Sequence, residues 1–232
     1  MPPQPCLSLA RRTSLTKDGA GQHENGSCKG DKVGRASFVR ESADVRRQAL
    51  IDATARCLAE RGAGGASVRV ICAMAGVSPG LLTHYYEGIE ALILATYRDV
   101  GRRVGEAMDA AAESAGDDPR ARLDAYATAS FRPPVLDPDL LATWVAFWSL
   151  VKSTPPIAEA HAEIYAAYRD AMERLIAVCR PNMEPCKVRL NAVAITALVD
   201  GFWLELCLDT SSFTAEEACD MTRKWISDLL DS

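Results

Sequence analysis

Between Gly62 and Leu82, helix stop and start signals alternate so closely that only short helices joined by tight turns fit between them. Gly62, Gly64 and Gly65 close a run from Asp44 onward in which Leu50, Ile51, Thr54, Cys57 and Leu58 recur on one helical face. Ser67 then offers a capping hydroxyl to a second helix that carries Val68, Ile71, Met74 and Ala75 inward, and Gly76 supplies the left-handed residue that stops it. Two residues later, Ser78-Pro79 combines a cap with a proline preset for the first helical position, followed by Leu81 and Leu82. Three helices in this order, with a glycine turn between the second and third, form a helix-turn-helix whose third helix can enter a major groove.

The rest of the chain keeps the helical period. Helices are predicted from about Ile89 to Ala115, Arg120 to Ser130, Asp137-Pro138 to Lys152, Thr154-Pro155 to Cys179, Lys187 to Leu208 and Thr214 to Leu230. Arg132-Pro133-Pro134 breaks the series, and Thr214 with Glu217 has the spacing of a capping box. No alternating strand pattern or internal repeat occurs, so the fold class is all-α. Residues 1 to 42 lack a repeating apolar face and are rich in Gly, Ser, Pro and basic residues, which predicts a disordered tail.

Composition narrows the function classes. The net charge of -5 conceals a gradient: seven Lys/Arg against three Asp/Glu over residues 1 to 40, five against six over 41 to 90, and fourteen against twenty-two over 91 to 232. Attraction to a polyanion would have to come from placement rather than charge density. The eight cysteines are scattered without a CxxC pair, the pattern of reduced cytosolic thiols. No stretch approaches the roughly 20 consecutive apolar residues of a membrane span, and the first residues lack a signal-peptide apolar region. A cytoplasmic protein without membrane contact is expected. Catalytic and metal chemistry find little to work with: there are three histidines, and His161-Ala162-Glu163 lacks the P-C-x-x-C partner of a zinc deaminase. Neither a nucleophile elbow nor a phosphate-cradling glycine loop is present, so no enzyme, metal or cofactor is predicted.

The run RRQALIDATARCLAERGAGGASVRVICAMAGVSPGLLTHYYEGIEAL, from Arg46 to Leu92, resembles the DNA-binding domain of the TetR family of bacterial transcriptional regulators. TWVAFWSLVKSTPP (Thr143 to Pro156) and ALVDGFWLELCL (Ala197 to Leu208) are similar to segments of its BetI branch, whose members control choline-to-betaine metabolism; the resemblance covers roughly residues 45 to 230. It implies a helix-turn-helix DNA-binding domain over residues 43 to 90, then a helical ligand-sensing and dimerisation domain over 91 to 232. Carried over, Ser78, Pro79 and Gly80 present the recognition helix, and Thr83, His84 and Tyr85 reach bases or phosphates. Arg69 grips the adjacent backbone, Ser67 donates from its helix start, and Arg46 and Arg47 assist. Ile89 stands where relatives usually have a lysine, and Ala73-Met74 where they often carry polar side chains. Those departures favour the rival reading, a helical sensor or interaction module without sequence-specific DNA binding.

Trp144, Phe147 and Trp148 lie within about one turn of one predicted helix, and Trp203 lies near Asp200 on another. Aromatic faces attract a quaternary ammonium and a carboxylate adds to the attraction, so these five residues are the candidate site for a small-molecule effector of choline-like chemistry. The same residues also suit an ordinary core or interface. The resemblance implies a homodimer joined by the last two helices, with apolar stripes Val193, Ala197, Phe202, Leu204, Leu208 and Ala218, Met221, Trp225, Leu229, binding a palindromic operator with half-sites one DNA turn apart.

Overall fold

The computed structural model describes residues 43–209 and 211–231; the expected tail over 1–42 lies outside the described residues. Nine α-helices and no strand occur among them. The first is α1 (Ala43–Gly65), whose helical run breaks at Gly62 (φ 64°, ψ 180°), the first of the three glycines expected to end it, with a short turn to Gly65 beyond the kink. Helix α2 (Val68–Ala75) is capped by Ser67, whose Oγ accepts the Val70 amide, and ended by Gly76 at φ 66°. The Gly76 and Val77 amides return to Ala73 and Cys72 carbonyls at 3.3 and 3.0 Å, closing the turn expected between the two short helices. Helix α3 (Pro79–Tyr85) follows with Ser78 as its cap and Pro79 in its first turn.

Helix α4 (Ile89–Ser114) begins after Gly88, whose φ of 137° excludes a side chain without strain. Then come α5 (Pro119–Thr128), a 3₁₀ turn (Ala129–Phe131), α6 (Pro138–Val151), α7 (Pro155–Cys179), α8 (Pro185–Leu208) and α9 (Ala215–Asp231). The Asp137 carboxylate caps α6 through the Asp139 and Leu140 amides. Thr214 and Glu217 exchange the reciprocal bonds of a capping box at 3.2 and 2.8 Å. Pro185 opens α8 instead of preceding it, because a proline costs a helix nothing where its missing N–H would be unpaired anyway.

Apolar packing forms two clusters. A small one joins Leu50, Ala53, Cys57, Ile71, Cys72, Leu82 and Leu92, all nearly or wholly buried. Met74 and Ala75 pack against this cluster as expected, though only half-buried, and Cys72 joins them as a further inward residue. A larger cluster runs through α4 to α9 and includes Leu58 of α1. The long helices α1 and α4 therefore contribute to both clusters, and Ile89 packs against both. That double contact gives Ile89 a structural reason to be apolar where a lysine was the family's usual residue.

Helix α8 is the one described helix long and apolar enough to cross a membrane, a property the count of consecutive apolar residues had missed. In the fold it is a core helix: Ala192, Ile195, Val199, Trp203 and Leu206 are buried. Its opposite face is also apolar yet open to solvent. Leu190, Val193, Ala194, Ala197, Gly201 and Leu208 are exposed along it, with half-buried Leu204 in the same stripe. Trp225 of α9 is 53% exposed. Ala218, expected on the outer stripe of α9, is instead wholly buried in the larger cluster, and Phe202 packs against that cluster beside Phe131.

Candidate functional site

The exposed side of α3 consists of Pro79, Gly80, Thr83 and His84, spaced i, i+1, i+4 and i+5, while Leu82 points the other way and is fully buried. Leu81 and Tyr85 flank that anchor and are half-buried. A Cβ on Gly80 would meet nothing nearer than Ser78 Oγ at 3.9 Å, so nothing in the fold requires glycine there. A bare backbone at that place suits close approach by another molecule.

Both cap serines spend their acceptors on helix amides, Ser78 on Leu81 at 3.3 Å and Ser67 on Val70 at 3.4 Å. Each hydroxyl proton remains available as a donor. Thr83 donates to the Gly80 and Pro79 carbonyls of its own helix, which turns its oxygen's acceptor side outward. Tyr85 meets His84 edge-on at 5.0 Å, and the Arg47 guanidinium lies 5.3 Å from the Tyr85 ring centre. This cation–π contact ties the start of α1 to the end of α3 and has no signature in sequence spacing, since 38 positions separate the partners. Arg47 also pairs with Asp44 at 3.3 Å; Arg46 is half-buried and Arg69 exposed on α2.

A narrow cavity of ≈ 50 Å³ lies among α4 to α8. Of the five residues predicted to hold an effector, Trp144, Asp200 and Trp203 line it. Phe147 does not: it is fully buried and stacks on Tyr97 at 4.3 Å, because it projects from α6 toward α4. Trp148 stands outside the lining as well. Tyr126, Tyr165 and Tyr168 complete the aromatic wall and escaped the sequence reading. The only hint was the spacing of His161, Tyr165 and Tyr168 along one stripe of α7.

Among the described residues, Asp200 is the one charged side chain lining this cavity. Burial pushes its carboxyl up to about 6, opposed by a hydrogen bond from Tyr165. The Tyr165 hydroxyl in turn accepts the Trp144 indole N–H at 3.4 Å, which leaves its own proton free to donate. Burial also raises the Tyr126, Tyr165 and Tyr168 hydroxyls far above the ordinary phenol range, which keeps them neutral donors. Trp203 is fastened from behind, its indole N–H donating to the Val135 carbonyl at 3.2 Å.

Two polar links join the helices that carry these features. Asp99 of α4 accepts from Arg102 at 2.6 Å, Arg103 at 2.7 Å and Gln48 of α1 at 3.3 Å, while Arg103 also pairs with Asp52 of α1 at 2.7 Å. Thr143 of α6 donates to the Ala55 carbonyl of α1 at 3.1 Å.

Residues 50–96 match the family model of bacterial regulatory proteins of the tetR family, and residues 119–231 match that of the C-terminal part of BetI-type transcriptional repressors. The HTH-type transcriptional regulator BetI of Burkholderia thailandensis is 31% identical over 187 residues, which cover 81% of this chain and 94% of that protein. The chain belongs to the TetR family, in its BetI-type branch. The BetI regulator of Yersinia pestis is likewise 31% identical, over 192 residues covering 81% of the chain and 93% of that protein. Among solved structures of TetR-family type, a transcriptional regulator from Pseudomonas aeruginosa PAO1 superposes with a TM-score of 0.77 at 36% identity, covering 85% of this chain and 96% of that one. A regulator from Saccharomonospora viridis, solved in complex with choline, shares the fold at a TM-score of 0.69 and 16% identity, covering 79% and 96%. This BetI-type chain is thus a transcriptional regulator with a DNA-binding helix-turn-helix, and not an enzyme.

Proposed function

We propose that the protein binds a palindromic operator as a homodimer and that a small quaternary ammonium of the choline class, held in the Asp200 cavity, changes its operator affinity. The observation that carries the effector reading is the pairing of one carboxylate with an aromatic wall of Trp144, Tyr165, Tyr168 and Trp203. A permanent cation interacts favourably with both the ring faces and the carboxylate. Among the described residues no Lys, Arg or His lines the cavity, so a carboxylate-bearing ligand would meet Asp200 without a compensating cation from them. Effectors ending in a hydroxyl or aldehyde, such as choline and betaine aldehyde, are therefore preferred over betaine. The choline found in the Saccharomonospora viridis regulator supports this reading.

For DNA, α3 supplies Ser78, Pro79, Gly80, Thr83, His84 and Tyr85, with Ser67, Arg69, Arg46 and Arg47 holding the flanking phosphates. Hydroxyls and backbone N–H groups do much of the work that formal charge does elsewhere, as befits a domain with nearly balanced charge. The solvent-facing apolar stripe of α8, with Trp225 of α9, is the surface that supports pairing with a second copy, since monomers seldom leave such a contiguous stripe open. Two α3 helices about 34–36 Å apart would then meet successive major grooves. A protein of this kind works in the cytoplasm, where the chromosome is.

Calorimetric titration with choline, betaine aldehyde and betaine, combined with gel shifts on the DNA upstream of the protein's own gene, tests the proposal. Heat from the first two ligands, a changed operator affinity, and a salt-sensitive complex lost in Arg69→Ala are expected. No heat and no change with choline or betaine aldehyde would remove the effector, and no complex at low salt would leave a sensor without DNA binding.

A further inference from the structure

Helix α7 does more than wall the cavity. Tyr168 lines it, yet its hydroxyl leaves the cavity and donates to the Gly101 carbonyl of α4 at 2.7 Å. One helical turn or two away on the same stripe, His161 Nδ1 and the buried Tyr97 hydroxyl of α4 lie 2.8 Å apart, and the Tyr165 ring is 4.4 Å from the imidazole. The Tyr165 and Tyr168 rings are themselves 5.9 Å apart, so a molecule seated against Asp200 and Tyr165 also meets Tyr168.

This hydroxyl reaches α4 at the turn that carries its two glycines. Gly101 and Gly105, four residues apart, both face α7: a Cβ on Gly101 would lie 2.7 Å from Ile164 Cδ1, and one on Gly105 would lie 3.3 Å from Tyr168 Cε1. The absence of side chains lets the helices cross closely, and each glycine weakens helix there by about 1 kcal/mol relative to alanine. A second donor on a helical carbonyl draws it outward and lengthens the helix's own bond, which sets local curvature. On the other side of this turn, α4 is tied to α1 through Asp99 and Arg103, and its first residue follows α3 by a three-residue connection.

Resting on the reading of the cavity as the effector site, we propose that Tyr168 is the coupling residue of this regulator. Its ring senses occupancy of the cavity, and its hydroxyl sets the curvature of α4 at Gly101, and thereby the position of α3. An effector changes operator affinity by favouring one state of this latch over the other, which is the only way a ligand can shift such an equilibrium.

The test uses the full chain with choline as the probe. Tyr168→Phe keeps the ring and removes the latch; Gly105→Ala presses on the ring from the α4 side and serves as the second variant. Tyr126→Phe is the control, since that hydroxyl bonds to the Tyr168 backbone carbonyl and not to α4. With choline saturating for each variant, at a concentration set from that variant's own calorimetric Kd, the ratio of operator affinities with and without choline is expected to fall below twofold in Tyr168→Phe. A merely structural tyrosine would lower Tm and leave that ratio unchanged. A Tyr168→Phe protein that responds to choline as fully as wild type would overturn the proposal. If wild type itself neither binds nor responds to choline, the effector reading fails, and the latch is decided without ligand. Tyr168→Phe and Gly105→Ala should then each shift operator affinity at least threefold relative to Tyr126→Phe, and no shift would overturn the latch as well.

Discussion

The two apolar clusters are built for opposite purposes. The smaller, beneath α3, is closed: Leu50, Cys57, Ile71, Leu82 and Leu92 are wholly buried, and buried Thr54 spends its hydroxyl on the Leu50 carbonyl of its own helix at 2.7 Å. The larger encloses a narrow cavity lined by one carboxylate and by Tyr126, Tyr165 and Tyr168. If α3 reads DNA as proposed, a rigid back keeps Gly80, Thr83 and His84 in their spacing; if the cavity takes an effector as proposed, its incompletely compensated carboxylate gives the ligand something to complete. The first region puts its stability into packing; the second gives some up to keep a site open.

Substitutions that separate packing from recognition would break this contrast or sharpen it. The largest loss is expected from Leu82→Ala, which empties the middle of the small cluster and should cost ~2–5 kcal/mol by thermal or denaturant unfolding. Operator binding should fall with it, while choline binding, measured below the transition, should survive. If choline affinity collapses too, the two clusters fold as one unit and the contrast is false.

Asp200→Asn should act in the reverse sense. The folded carboxyl is raised to about 6 from an ordinary 3.8, so between these values the native state binds protons that the unfolded chain has released. Stability therefore falls as pH rises through that window and stays lower above it. Asparagine keeps an acceptor for Tyr165 without the buried charge, and its Tm in the absence of ligand at pH 7.5 should rise by a few degrees while choline affinity drops at least tenfold. In wild type, choline affinity should weaken as pH falls below about 6, since protonation removes the anion. A Tm that drops in Asp200→Asn would show the carboxylate to be structural.

Smaller effects belong to the recognition surface. Ser78→Ala removes the α3 cap and is expected to cost ~1 kcal/mol, with a matching loss in operator affinity. Gly80→Ala is the sharpest of the set. Its Cβ would occupy open space, so Tm should move by less than a degree or two, yet gel-shift affinity should fall about tenfold if the α3 backbone approaches DNA there. Unchanged affinity would move the contact surface away from the start of α3.

Much of the recognition unit was legible because its signals are local. Ser67, Gly76, Ser78 and Pro79 each act within about one helical turn of themselves, and the structure uses them as caps, stop and first-turn proline. The same holds for Asp137 and for Thr214 with Glu217. What failed were statements about facing. Phe147 and Trp148 sit within a turn of Trp144, yet neither lines the cavity, because a rotation of 100° per residue points them toward α4 and α7. Ala218 was misplaced for the same reason, and the Arg47–Tyr85 contact was invisible because it joins different helices.

Taken alone, the order of the residues determined an all-helical chain, the helix-turn-helix cadence and the family, since caps, stops, periodicity and motif spacing are properties of neighbouring positions. Only the tertiary structure decided that Tyr126, Tyr165 and Tyr168 join Trp144 and Trp203 around Asp200, and that Tyr168 reaches past them to Gly101. Those partners lie tens of residues apart, and the angles at which α4, α6, α7 and α8 cross, set by where glycine lets backbones approach and where bulky side chains hold them off, bring them together.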